Sequence, residues 1–281
     1  KLFKINPNMY TVLSKDTIEE DIIPYLPTAQ RGFSPTVSLV EIVNSILYKL
    51  KTGVQWHQLP VKALFEDKIL SWQSVYHHYR KWCKSGAWKC CWIQLLTKYK
   101  SSLDLSSSDL DGSHTSALRG GEQVGYQGRK KRKTTNALYL TDRQGLPIAM
   151  SEPISGNHND LFQIEVHFEE ITSTLEDAEI AIDGLFLNAD AGFDSKELRE
   201  KCEAKGIIPN FDINKRNSSN NHDYYFDEEL YKERYSIERT NAWMDSYRSL
   251  LNRFDTTLTS WMGFNYIAFI AIALKKIKKK V

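Results

Sequence analysis

The feature that most constrains this chain is a change of hydrophobic period near residue 100. Before it, apolar residues recur every three or four positions, which is the spacing that gives a helix one buried stripe. "LVEIVNSILYKLKT" (39–52) has this pattern and is followed by Gly53, a helix stop. "SWQSVYHHYRKWCKSGAW" (71–88) repeats it, with Ser71 as N-cap and Gly86 as terminator, and "KCCWIQLLTKYK" (89–100) continues as a third helix. Residues 1–30 carry Pro7, Pro24 and Pro27 and read as short helix and loop. The serine-rich "SSLDLSSSD" (101–109) then marks a boundary, giving a helical region 1–102 and a second region 103–281.

Beyond the boundary the chain reads as strands and helices in alternation. "DLDGSH" opens a first strand. "TTNALYLTD" (134–142) and "LPIAMSEPIS" (146–155), joined by a turn at Arg143–Gln144–Gly145, read as a β-hairpin. Helical periodicity follows from Asp160 to Glu170, then a short apolar strand inside "EIAIDGLFLNAD" (179–190). "DSKELREKCEAKG" (194–206) is a capped helix, "IIPNFDI" (207–213) a strand, 214–223 a polar Asn-rich loop, and a long helix runs from about Leu230 to Leu251. A hairpin followed by helix–strand alternation predicts a mixed α/β sheet.

Composition fits a globular chain of one large or two ordinary domains: 281 residues, 41% hydrophobic, 26% charged. Cys83, Cys90, Cys91 and Cys202 form no CxxC pair, so buried thiols in a reducing cytoplasm are expected, not a zinc site. The opening "KLFKINPNMY" has no apolar core of a secretory signal. The most apolar run, "WMGFNYIAFIAIAL" (261–274), is too short to span a bilayer and predicts a buried helix, so no membrane partner is expected. Net charge is only +2, yet residues 152–205 hold 14 acidic against 4 basic side chains. Arg129, Lys130, Lys131, Arg132 and Lys133 form a wholly basic run, and "KKIKKK" (275–280) a second; either is a solvated face or a polyanion-binding surface.

Three carboxylates are singled out by position. Asp111, in "DLDGSHT", lies near the end of the first strand, with Asp109 as its competitor. Asp190, in "LNADAGFDS", directly follows a strand and precedes a helix; Asp183 and Asp194 compete with it, and a turn or cap role is the alternative. Ligands gather at strand ends in α/β sheets, where an acid is rigidly held. Glu238 sits among arginines, tyrosines and a tryptophan in "YKERYSIERTNAWMDSYR" (231–248). Its alternative role is a surface pair with Arg234 at i−4, worth about 0.3–0.5 kcal/mol. His77, His78, His114 and His158 read as ordinary helix or loop histidines.

Taken together, "DGSHT", "GGEQVGYQGRKKRKTTNALYLTDRQGLPIA", "LNADAGFDS" and "YKERYSIERTNAWMDSYRSLLNRFD" resemble bacterial insertion-sequence DDE transposases. "ILYKLKTGVQWHQLP" (46–60) is similar to the helical N-terminal segment of one branch of that group. The resemblance implies an RNase H-like mixed β-sheet flanked by helices over 103–281, with a helical, DNA-end-binding N-terminal region over 1–102. It implies Asp111, Asp190 and Glu238 as a metal-binding catalytic triad. Tyr231, Arg234 and Glu238 also match a Tyr–Arg–Glu–Lys signature, whose last position is Asp245 here instead of lysine. Arg239 or Arg248 would then replace that lysine in contacting DNA.

The chemistry implied is phosphodiester cleavage and strand transfer with two Mg²⁺ or Mn²⁺ ions, which three carboxylates suffice to hold. Oxygen-only ligands favour these ions over zinc. Double-stranded DNA is the expected partner: element ends and target gripped by Arg129–Lys133 through phosphates, with self-association on DNA and a bacterial cytoplasmic, nucleoid-associated location. Tyr126 and Trp243 are candidates to stack on an unpaired base, with core packing the alternative for Trp243. A DNA-binding protein without turnover and a repair nuclease of the same fold are the competing functions.

Overall fold

The computed structural model describes residues 11–28, 37–214 and 224–278. The opening decapeptide, residues 215–223 of the Asn-rich loop and the last lysines of the basic tail lie outside the described residues. In chain order the helices and strands are α1 (Lys15–Asp21), α2 (Leu39–Thr52), α3 (Val61–Leu64), α4 (Trp72–Lys84), α5 (Ala87–Tyr99), β1 (Ser108–Ala117), β2 (Gly125–Gln127), β3 (Arg132–Asp142), β4 (Pro147–Met150) and β5 (Ile154–Ser155). They continue with α6 (Ile164–Asp177), β6 (Phe186–Ala189), α7 (Lys196–Ala204), β7 (Ile208–Phe211), α8 (Glu228–Lys232), α9 (Tyr235–Asp245), α10 (Arg248–Leu251) and α11 (Leu258–Ile277). The chain divides into two compact units, one of Lys1–Leu95 with Met244–Val281 and one of Leu96–Trp243. The first unit thus takes in the C-terminal helix, whereas the sequence division places residues 103–281 together.

The first unit is helical. Ser38 and Ser71 accept backbone N–H groups at the starts of α2 and α4, and Gly53 ends α2 in the left-handed conformation; the Ser71 cap and the Gly53 stop are those the sequence predicts. The apolar stripe of α2 (Ile42, Val43, Ile46, Leu47, Leu50) is fully buried, as are Trp88 and Trp92 of α5. Within this unit α11 fills the core: Trp261, Phe264, Ile267 and Phe269 are completely inaccessible. Among the described residues α11 is the one helix long and apolar enough to cross a membrane, and 78% of its apolar window is buried in protein. Gly263 is required there, because a Cβ would lie 2.4 Å from Cys83 Sγ. Two buried charges inside the unit have partners: Lys49 Nζ donates to Ser249 Oγ at 2.9 Å and lies over Phe264, and buried Asp21 meets Lys278 at 2.7 Å. Cys83, Cys91 and Cys202 are buried free thiols and Cys90 an exposed one.

The second unit is built on a mixed sheet in the order β2-β3-β1-β6-β7, with β4 and β5 sharing an edge of β3. β1 runs antiparallel to β3 over nine residue pairs, Ser108↔Asp142 through Ser116↔Thr134. β1 and β6 are parallel, as are β6 and β7. Antiparallel on one side of β1 and parallel on the other, this is an RNase H-like sheet, as the resemblance implies. The predicted hairpin forms from β3 and β4, and the strands expected in 179–190 and 207–213 are β6 and β7. β2 has no counterpart in the sequence reading, since three residues are too few to display an alternation.

The single helix expected from Leu230 to Leu251 is three, α8, α9 and α10. At Glu233–Arg234 the backbone tightens into three-residue bonds, Arg234 N–H to Tyr231 O and Ser236 N–H to Glu233 O, both 3.1 Å. Glu233 is drawn to Arg143 at 2.6 Å, in the β3–β4 turn. A second break follows Asp245, where Tyr247 adopts an extended backbone and buries its ring. Tertiary contacts override helix propensity at both points. Tyr231, Arg234, Glu238 and Asp245 therefore do not lie on one uninterrupted helix face, and Arg248 is not on the helix of Glu238.

Candidate active site

The parallel register pairs Ser108, Asp109 and Leu110 of β1 with Leu187, Asn188 and Ala189 of β6. One position further, the adjacent strands present Asp111 and Asp190, starting from a strand spacing of about 4.8 Å. Asp111 is half-buried, and its Oδ1 accepts the Gly112 N–H at 2.9 Å. Burial, then the negative charges of Asp160 and Asp190, push its carboxyl up to about 6; the Gly112 N–H and the Arg234 guanidinium oppose the rise. Asp190 caps the 3₁₀ turn Ala191–Phe193 through Oδ1, which accepts the Gly192 N–H at 2.8 Å. The cap role that the sequence offers as an alternative is therefore real, and it coexists with the position beside Asp111.

Two of the three competing acids are occupied elsewhere. Asp109 is inaccessible; its Oδ1 accepts from Asn188 Nδ2 at 2.9 Å and its Oδ2 from Ser236 Oγ. Asp194 pairs with buried Arg199 at 2.8 Å and accepts the Asn214 N–H. Asp183 is exposed in the turn before Leu185. The oxygens of Asp109 and Asp194 are thus engaged in holding the fold together.

Arg234 and Tyr231 join Asp111 and Asp190. The Arg234 guanidinium lies 5.7 Å from the centre of the Tyr231 ring and its charge acts on Asp109 and Asp111. Burial raises the Tyr231 phenol, against the pull of Arg234, with Asp212 and Asp190 adding to the rise. Two buried hydroxyls fix α9 beside this group: Ser236 on Asp109, and Thr240 on the carbonyl of Gly145. Gly145 needs its positive φ of 81° and its missing side chain, since a Cβ would lie 2.7 Å from Ser236 O.

Glu238 lies in the first turn of α9, on its exposed side, away from the anchoring face of Ser236, Ile237 and Thr240. Among the described residues it forms no ion pair with Arg234, and no three His, Cys, Asp or Glu side chains stand close enough together to hold one ion. Charge and ring contacts thus link Asp111, Asp190, Tyr231 and Arg234, and among the described residues no third acid completes a three-ligand cluster with the two aspartates. Arg239 is exposed and stacks over Tyr235 at 5.1 Å. Arg248 belongs to the helical unit, packed on Gly53 at the end of α2.

All five side chains of Arg129, Lys130, Lys131, Arg132 and Lys133 are exposed, around the β2–β3 turn. The turn is held by Gln127 Oε1, which accepts the Arg129 and Lys130 N–H groups at 2.7 and 3.1 Å. Tyr126 beside it is 59% exposed, whereas Trp243 is half-buried. No pattern in the sequence singles out Asp160, whose charge acts on Asp111 more strongly than that of Asp190. Its trace there is Gly112, whose lack of a side chain leaves room for it.

Residues 102–272 match the family model "Transposase DDE domain", and residues 19–92 match one described as "Putative transposase of IS4/5 family". The chain is 28% identical over 114 residues to the "Insertion element IS402 uncharacterized 16.2 kDa protein" of Burkholderia cepacia, covering 39% of this chain and 74% of that one. Two solved structures align over 88% of this chain and 80% of theirs: the Mos1 transposase paired-end complex with left transposon end (13% identity, TM-score 0.27) and the Mos1 Strand Transfer Complex (11%, 0.28). The DDE-domain match spans well over half of the chain, from ahead of the strand that carries Asp111 into α11, and on it, with the IS4/5 match to residues 19–92, the chain belongs to the insertion-sequence transposases of the DDE family.

Proposed function

We propose that this transposase cleaves the ends of its own insertion sequence and joins the freed 3′-hydroxyl strands to target DNA. The observation that carries the reading is the convergence of Asp111 and Asp190 from neighbouring parallel strands, with Arg234 and Tyr231 alongside. The donor set consists of carboxylate oxygens, and Asp111 is a partly desolvated carboxylate with two others near it, which suits a hard divalent cation. Asp111 and Asp190 would hold Mg²⁺ or Mn²⁺, with Glu238 as the third acid. Bound there, such ions supply activation of the attacking oxygen and stabilisation of the departing one.

The protein's own groups do the rest. In the first step water oxygen bonds to phosphorus, the bond from phosphorus to O3′ breaks, and a 3′-hydroxyl leaves. In the second that hydroxyl bonds to a target phosphorus and displaces the target's O3′, so neither step requires a covalent protein–DNA intermediate. The Gly112 N–H orients the Asp111 carboxylate. Arg234 sets a fixed positive charge where phosphate oxygens approach, backed by the Tyr231 ring. Arg129–Lys133 and Tyr126 offer a basic, aromatic surface for phosphates and an unpaired base. Two protein copies bringing two DNA ends together would account for concerted joining.

The test is a DNA fragment carrying the terminal repeats, incubated with protein and Mn²⁺ and analysed for 3′-hydroxyl ends and for joining to a plasmid. Glu238→Gln should abolish joining while end binding persists; joining that survives removes Glu238 from the reaction. One observation favours a second reading, a DNA-binding protein without turnover: Glu238 stands on the exposed side of α9, and among the described residues no three acids form a cluster that could hold an ion. That reading predicts end binding with no cleavage at any cation concentration.

A further inference from the structure

On the sheet face that carries Gly112 and His114, the loop from Ser155 to Asp160 lies pressed against β1, β2 and β3, and three glycines make the approach possible. A Cβ on Gly125 would lie 2.1 Å from Asn157 Oδ1, one on Gly156 2.0 Å from Thr134 Oγ1, and one on Gly112 2.0 Å from Asp160 Oδ1. Any side chain at these positions would lift the loop. The last contact matters most, because Gly112 is also the residue whose N–H holds Asp111 Oδ1 at 2.9 Å. Asp160 is itself fixed by Asn136, which is fully buried on β3 opposite His114 and donates Nδ2 to Asp160 Oδ1 at 2.6 Å. The other amide atom of this side chain, Asn136 Oδ1, is buried with no partner. An amide buried at that cost implies that its bond to Asp160 is worth keeping.

We infer that Asp160 is a positioning residue for Asp111: held by Asn136, it fixes the Gly112 backbone that orients the Asp111 carboxylate, and it adds negative charge behind it. This rests on the reading of Asp111 as a cation-binding acid. Asp160 works through Asp111 and is not assigned contact with substrate. Its charge is the largest neighbouring one acting on Asp111 and is of the same sign, a placement that destabilises the metal-free site and favours a cation there. Groups that orient a ligand from behind typically change metal affinity about 10-fold or more.

The test uses the full chain with Asp160→Asn, which keeps the side chain's shape and its ability to accept from Asn136 while removing the charge. Mn²⁺ binding is measured without DNA by titration calorimetry, and cleavage of an end fragment is measured against Mn²⁺ concentration. The expected result is Mn²⁺ affinity weakened about 10-fold, and half-maximal cleavage shifted to about 10-fold higher Mn²⁺, with the KM for DNA unchanged. Gly112→Ala, which displaces Asp160, should give the same shift; if it does not fold, Asp160→Asn carries the test alone. Wild-type Mn²⁺ affinity in Asp160→Asn overturns the inference, as does a loss of DNA binding that matches the loss of cleavage. Asp111→Asn run in parallel separates the two claims: if it still cleaves, the reading of the site fails; if it is inactive while Asp160→Asn is normal, only the inference fails.

Discussion

Replacing Asp111 by Asn should make the metal-free protein more stable at neutral pH while abolishing cleavage. The reason lies in the balance around this carboxylate. Burial and the neighbouring Asp160 and Asp190 raise it from its ordinary 3.8 to about 6. The folded state therefore holds this proton more tightly than the unfolded chain does. Stability from that proton is fully present below pH 3.8, falls as pH rises through the folded value of about 6, and is gone above it. The full displacement corresponds to about 3 kcal/mol, and screening at a half-buried site reduces the expected gain on removing the charge to roughly 1–2 kcal/mol. For a compact unit of this size that is a rise of about 2–8 °C in melting temperature. The assay is thermal unfolding by circular dichroism in EDTA, at pH 7.5 and pH 4, for wild type and Asp111→Asn. The gap between the two should be clear at pH 7.5 and shrink towards pH 4. A variant less stable than wild type at pH 7.5, or a gap independent of pH, would refute the account. Added Mn²⁺ should reverse the order by stabilising wild type alone, in proportion to the logarithm of its concentration.

Ser236→Ala leaves buried Asp109 without its hydroxyl donor and should cost about 1–3 kcal/mol in chemical denaturation, with cleavage falling because α9 loses an anchor. Neutralising any one of Arg129, Lys130 or Lys133 should lower the slope of log affinity against log salt for duplex DNA by about 1, without altering preference for the end sequence. An unchanged slope removes that residue from the interface. Gly145→Ala combines a left-handed backbone with a clash at Ser236 O and should destabilise by about 1–3 kcal/mol, seen as a lower urea midpoint at constant m. EDTA should abolish cleavage and leave end binding measurable by gel shift.

Much of the local architecture was legible in the chain. Ser71 and Ser195 announce helix starts by their side-chain chemistry, Gly53 announces a stop, and the apolar period of 39–52 defines a buried face. Such signals act within a few residues, so neighbours in sequence suffice to express them. The sequence also drew attention to Asp111 and Asp190 as acids at strand ends. It did not separate Asp109 from Asp111, because both lie on the same side of one strand; only the packing of Ser236 and Asn188 on Asp109 removes it. Nor did it reveal the breaks in 230–251, where Arg143, 90 positions before Glu233, reorganises a segment of good helix formers.

Left to itself, the sequence determined the periods, the caps, the basic run at 129–133 and the strand-end acids, since each is set by chemistry spanning one or two turns of chain. The tertiary structure alone decided that β1 lies between β3 and β6, which sets Asp111 beside Asp190 although they are 79 residues apart. It alone seated Asp160 against Gly112 and turned Glu238 to the exposed side of α9. Strand order and close approach arise from burying surfaces contributed by distant segments, and no local pattern encodes which surfaces will meet.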